Sequence, residues 1–297
     1  MHIGKLYSGK LLSLLVLSIP FFCNAEVTEN KSNAELHVWP YSFQGNLTQT
    51  SLQQAIDYSY TYLPQNITSI RFLIHKGTYN KQAATLRPKP GTQYEFTSAS
   101  SGDHLPSFDG YQQPLTWLKI ISTNGFGSSV SISRLDIKNY ATAISIEGDR
   151  EDTTKFNAEN KIFNMRFENI GQRSLKSSPS TAAVRLVNSR ANEIRDNQFI
   201  NIQNIQQCGL LHSIYLAHHS SDNLIHHNSF INFCGSPIRT RDDSNRNTAQ
   251  FNSFTHIQSE QLMDQWFCDK TQRQDCTKQQ PEQDSHSNIF KTNTVLP

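Results

Sequence analysis

The sequence predicts an all-β fold, a single-stranded right-handed parallel β-helix with an N-terminal capping helix. Three observations carry that expectation. A motif recurs four times along the second half of the chain. Inside each copy apolar and polar residues alternate with period two. The polar residues are mainly amides and hydroxyls, with charges making up only 18%. A period of two marks strands and not helices, and self-similarity at a step of about 20–50 residues marks a solenoid.

The first copy is Asn160-x-Ile162 with Phe167-x-Asn169-Ile170. It returns as Asn192-x-Ile194-x-x-Asn197-x-Phe199-x-Asn201-Ile202 and as Asn223-x-Ile225-x-x-Asn228-x-Phe230-x-Asn232-Phe233. A fourth copy, with substitutions, is Asn247-x-Ala249-x-x-Asn252-x-Phe254-x-His256-Ile257. Equivalent asparagines are 32, 31 and 24 residues apart, and a partial copy, Leu135-x-Ile137-x-Asn139-Tyr140, lies one step earlier. Stacked in parallel about 4.8 Å apart, the copies put Phe167, Phe199, Phe230 and Phe254 in one buried column and Asn197, Asn228 and Asn252 in another. An asparagine at a bend tolerates left-handed backbone, and its amide bonds to the copies above and below. These asparagines therefore read as structural.

Before the repeats, Ser51 opens a segment with apolar residues at helical spacing, Leu52, Ala55, Ile56, Tyr60 and Leu63, which reads as a cap over the open end of the stack. A strand follows at Ile70–Ile74, then a turn at Lys76-Gly77-Thr78-Tyr79. Residues 82–110 are polar and rich in Gly and Pro and read as loop, with strands resuming at Trp117–Ser122. The expected organisation is a single domain over 26–297: cap at 45–80, coils at 115–260, and a C-terminal cap and loose tail at 261–297.

At the start of the chain, Lys5 and Lys10 precede an apolar run from Leu11 to Phe22 and then Cys23-Asn24-Ala25. This is the pattern of a secretory signal over 1–25, since a spanning helix needs about 20 apolar residues and the run is shorter. Export to the periplasm or the outside of the cell is the expectation, with no membrane anchor after cleavage. Net charge of +2 demands neither nucleic acid nor membrane. Four cysteines follow the signal, with no C-x-x-C pair, so disulfides are expected over metal ligation. Cys208 and Cys234 each precede a glycine at equivalent places in adjacent coils and are expected to bond, leaving Cys268 and Cys276 to close a small C-terminal loop.

The cap helix with Ala55-Ile56, Phe72-Leu-Ile-His-Lys-Gly77-Thr-Tyr79, Phe108-Asp109-Gly110 and the asparagine coils together resemble the pectate-lyase-like superfamily over residues 45–268. The segments His212–Asn223 and Ser236–Asn245 resemble parts of secreted bacterial β-helix proteins. The resemblance implies polysaccharide lyases, glycoside hydrolases, uronate epimerases, or non-catalytic members such as adhesins and phage spikes. The chain departs from the pectate-lyase calcium and arginine constellation, the paired aspartates of polygalacturonases, and the Asp-Pro-His-Asp of alginate epimerases.

Aligning the strand before each bend gives Val184-Arg185-Leu186-Val187, Ile214-Tyr215-Leu216-Ala217 and Ile238-Arg239-Thr240-Arg241. With Val184, Ile214 and Ile238 inward, Arg185, Tyr215 and Arg239 form one outward column and Val187, Ala217 and Arg241 the next, while His218 and Asp242 match at the strand ends. Arginine pairs with carboxylates, and tyrosine offers a ring and a hydroxyl to sugars, so this face suits an anionic polysaccharide. For β-elimination the expected roles are charge stabilisation by Arg239 and Arg241, proton removal by His218 or His212, and proton donation by Tyr215. Arg185, His219, Asp242 and Trp266 are the expected substrate contacts, Trp266 also being read as a cap on the core. His212 has the phase of an inward residue at the strand start. Asp242 and Asp243 are read as surface partners for Arg241 or Arg246 and, with Asp222, as hard oxygens suiting calcium. His212, His218 and His219 would be the zinc set. Glycan binding without catalysis is the alternative. A hydrolase needs two spaced carboxylates, which Asp242 and Asp243, as strand neighbours on opposite faces, do not make. A monomer is expected.

Overall fold

The structure, a computed structural model, describes residues 27–30, 32–40, 51–102, 104–127, 129–171, 180–204, 206, 208–257, 261–271, 276 and 281–296. The expected export signal and the first residues of the expected cap lie outside them. The chain winds as a right-handed parallel β-helix through a ten-stranded, an eight-stranded and a seven-stranded sheet, called first, second and third below. Apart from the opening hairpin Val27–Asn30 with Asn33–Val38, every pairing in these sheets is parallel.

Coiling begins earlier and ends later than the repeat predicts. The stretch expected as loop contributes a strand to each sheet, Gln93–Ser98, Ser107–Asp109 and Ala84–Leu86. Tyr94 and Phe96 alternate with polar residues there, a signal the flanking Gly and Pro turns obscured. The expected loose tail likewise carries Ile289–Lys291 and Thr294–Leu296, which extend the first and second sheets. The tail escaped because the asparagine spacing stretches to 41 residues at the last coil.

At the N-terminal end, Leu52–Thr61 forms the expected helix, with Ser51 and Gln54 making a capping box. Its apolar stripe of Leu52, Ala55 and Ile56 is buried, and the Leu52 amide donates to Gln82 Oε1 at 2.9 Å. The helix packs on the strands Asn33–Val38 and Ala84–Leu86, covering the end of the stack.

The phenylalanine column forms as expected: Phe167, Phe199, Phe230 and Phe254 stack with ring centroids 4.9, 5.0 and 4.8 Å apart. Two asparagine ladders run at the corners. One passes through Asn160, Asn192, Asn223, Asn247 and Asn288, the other through Asn197, Asn228, Asn252 and Asn293. In each step one Oδ1 accepts from both the backbone amide and the side-chain amide of the asparagine before it, as Asn228 Oδ1 does from Asn197 at 3.1 and 2.9 Å. The left-handed backbone falls not on the ladder asparagines but on the residue just before each. Ala191, Asp222 and Arg246 bend ahead of one ladder, and Asp196, His227 and Phe251 ahead of the other, with φ between 52° and 61°. Such a φ costs a non-glycine residue about 1–2 kcal/mol, and the amide pairings at the next residue offset it.

Removing one ladder amide from the middle of the stack strands the Asn197 amide without an acceptor. Asn228→Ala is expected to lower stability by about 2–4 kcal/mol, read as a lower urea midpoint at unchanged slope, whereas Asn293→Ala at the half-exposed last coil costs less.

Candidate functional site

The register places the outward columns of the third sheet as the alignment predicts. Arg185, Tyr215, Arg239 and Asp264 lie side by side in one column, and Val187, Ala217, Arg241 and Trp266 in the next. Trp266 is therefore on the outer face and does not seal the core. Leu262 and Met263 pack against the core instead. The Cys208–Cys234 bond joins the turns that lead into His212–Ala217 and Ile238–Arg241, with Cα atoms 5.2 Å apart, and Cys268–Cys276 closes the C-terminal loop.

His212 departs from its expected inward phase. The alternation breaks at the strand start, where Ala183 and Val184 both enter the main core while Ala182, its neighbour in register, clusters with Tyr215 and Ala217 on the other face. His212 follows Ala182 and stacks on the Tyr215 ring at 5.6 Å between centroids. It is 2% exposed, and its Nδ1 donates to the Ser236 carbonyl at 2.6 Å. Burial, reinforced by the charge of Arg239, pushes its pKa down to about 3.

Beyond the strand ends, His218 and His219 and then Asp242 and Asp243 adopt left-handed backbone, so Asp242 and Asp243 are not strand neighbours on opposite faces. Each instead meets a histidine of the coil before it: His218 Nδ1 donates to Asp242 Oδ2 at 2.6 Å, and His219 Nδ1 to Asp243 Oδ2 at 3.0 Å. Burial works to raise Asp242, but the His218 bond and the Gln283 amide outweigh it and hold the carboxyl below its ordinary value.

The arginines are not a bare row of cations. Arg185 pairs with Glu147 at 2.6 Å, Arg239 with Asp264 through Nε at 2.8 Å and through Nη2, and Arg241 with both oxygens of Glu282. The expected pairing of Arg241 with Asp242 or Asp243 gives way to Glu282, and Arg246 pairs with Asp222. Arg241 also donates to the Tyr215 hydroxyl at 3.2 Å and lies 4.4 Å from the Trp266 ring centroid. Burial pushes the Tyr215 phenol up against the opposing pull of Arg241. The face is largely enclosed, with Tyr215 at 7% and His218 at 6% exposure.

Asp264 and Glu282 are the charged residues of this face that the sequence alignment does not reach. Extending the strand register one coil past Arg239 would have reached Asp264. Glu282 follows a long excursion that no period locates. Among the described residues, the one group of three candidate metal-ligand atoms is His218, Asp242 and Glu282, all within 4.8 Å of one another. The expected zinc set of three histidines does not converge, nor do Asp222, Asp242 and Asp243, since each has its own partner. An imidazole and two carboxylates form a transition-metal donor set, but both Glu282 oxygens already accept from Arg241.

His212 stays neutral in the folded protein where it is charged in the unfolded chain. Between about pH 6.5 and about 3 the unfolded state binds the extra proton, so this residue makes stability fall with acid by up to about 1.4 kcal/mol per pH unit. Urea unfolding across that window is expected to give a shallower pH slope for His212→Gln than for the natural protein.

No protein-family model matches the chain, and no curated protein matches its sequence. Among solved structures, an alginate lyase from Paenibacillus sp. strain FPU-7 superposes with a TM-score of 0.56 at 11% identity, over 80% of this chain and 72% of that one. The Dettilon tailspike protein aligns over 88% of this chain and 62% of its own at 12% identity, with a TM-score of 0.24. The likeness to the lyase is one of fold.

Proposed function

We propose that this protein is an exported polysaccharide-acting β-helix, a lyase that cleaves a uronate-containing chain by β-elimination on the outer face of its third sheet. The observation that carries the reading is the Asp242–His218 pair at 2.6 Å, formed between adjacent coils just beyond the strand that carries Tyr215. A carboxylate that accepts from Nδ1 fixes the tautomer and leaves Nε2 as the base. In this reading His218 removes the C5 proton. Tyr215, kept protonated by its burial, returns a proton to the departing glycosidic oxygen. Arg241 orients that phenol through its hydrogen bond, and Glu282 holds Arg241 in place. The fold shared with an alginate lyase supports the polysaccharide class, and two disulfides in one chain support an oxidising compartment.

A second reading, glycan binding without turnover, is favoured by a specific observation. Arg185, Arg239 and Arg241 are each neutralised by a carboxylate of the protein itself, so a uronate carboxylate must displace Asp264 or Glu282 to reach Arg239 or Arg241.

Incubation of the mature protein with alginate, polygalacturonate and glycosaminoglycans is expected to produce ultraviolet absorbance from unsaturated uronate ends on one of these polymers. Asp242→Asn is expected to lower that rate by about 10²–10⁴-fold and His218→Ala to abolish it. Reducing ends released without the absorbance would establish hydrolysis in place of elimination. Silence in both readouts across the panel would sink the lyase reading and leave the binding one.

A further inference from the structure

We infer that the outer face of the second sheet carries a separate groove that binds a carboxylate-bearing sugar unit. Four successive strands, Thr78–Asn80, Ser107–Asp109, Asp136–Lys138 and Arg166–Glu168, begin in register there. Lys76 comes from the bend that precedes the first of them and His104 from the segment that leads into the second. Together these elements line an open depression of about 350 Å³. That volume is at the lower end of ligand sites, which run to about 300–1,000 Å³.

The floor of the groove is fixed and internally balanced. The Ser107 hydroxyl donates to Asp136 Oδ2 at 2.9 Å, and Arg166 Nη1 reaches Asp136 Oδ1 at 3.2 Å and Glu168 Oε2 at 2.7 Å. The rim is different: Lys76 and His104 are exposed, and neither makes an ion pair among the described residues. On the third sheet, by contrast, every arginine of the outward columns already holds a carboxylate. A concave polar surface focuses the potential of an unpaired cation such as Lys76 at its mouth. Lys76 can therefore take a new anion without displacing an internal one. The Ser107 and Thr78 hydroxyls and the remaining lone pairs of Asp136 match sugar hydroxyls, while Lys76 and His104 match a carboxylate.

The ligand class rests on the polysaccharide reading above, but the groove asks for no turnover. The test is titration calorimetry at low salt with a uronate trisaccharide and a neutral trisaccharide, in a His218→Ala background so that no product forms. Adding Lys76→Ala and His104→Ala, both at exposed positions, is expected to weaken uronate binding about tenfold or more, while added salt weakens the parent. Uronate affinity unchanged in the triple variant, or equal affinity for the neutral sugar, would overturn the groove, as would no uronate binding by the parent. Because calorimetry reads binding alone, a protein that binds through Lys76 and His104 yet yields no unsaturated ends keeps the groove and loses only the lyase reading.

Discussion

The structure depends on one repeated interaction, the asparagine amide that accepts two hydrogen bonds from the coil below and donates onward. Because a backbone amide and a side-chain amide both aim at the same Oδ1, a slip of one residue would break two bonds per corner and turn the phenylalanine column to solvent. Register along the stack is therefore fixed at two corners of each coil. Tyr215 stands beside Arg239, and His218 beside Asp242, because Asn223 is locked to Asn247 and Asn228 to Asn252 on the same pair of coils. The outward face inherits its geometry from corners that do no chemistry.

The same spacing explains why the third-sheet arginines carry counter-ions. Coils lie about 4.8 Å apart, so an outward charge has its nearest neighbours directly above and below in the column. Arg239 meets Asp264 one coil on, and Arg185 meets Ser145 and reaches Glu147 one coil back. Arg241, whose column neighbours are Ala217 and Trp266, finds Glu282 from the chain that returns to the stack after the C-terminal loop. Half-buried guanidinium groups left unpaired would be costly, and pairing leaves a face that is polar, ordered and nearly neutral.

Much of this was legible in the sequence because the repeat is local and periodic. The Phe column, the inward phase of Val184, Ile214 and Ile238, the Cys208–Cys234 bond and the match of His218 with Asp242 all follow from aligning copies 24–32 residues long. What escaped lies where periodicity breaks. Asn288 and Asn293 continue both ladders, but a 41-residue step hid them. Strict alternation puts His212 on the inner face, but the strand start admits two consecutive inward residues and turns it outward. Left-handed backbone does fall on the repeat asparagines Asn169, Asn201 and Asn232, but at the two main ladders the fold places it one residue earlier, on Ala191, His227 or Phe251, residue types that give no local cue. Glu282 was invisible because its partner Arg241 is reached through tertiary return and not through the repeat.

The charge states on the third-sheet face bear on which reaction it suits. A hydrolase of the two-carboxylate kind needs one carboxyl that keeps its proton near neutral pH. Asp242 and Glu282 do approach one another, a pair the sequence did not offer. Yet Asp242 is held below its ordinary value by His218 and the Gln283 amide, and both oxygens of Glu282 accept from Arg241. Neither is placed to donate a proton. The proton available on this face sits on the buried Tyr215 phenol, and the oriented lone pair sits on His218. A proton-bearing acid and a histidine oriented by a carboxylate, on one face, is the distribution that proton abstraction next to a carboxyl group and protonation of a leaving oxygen require. On the reading proposed here, elimination fits that distribution and two-carboxylate hydrolysis does not.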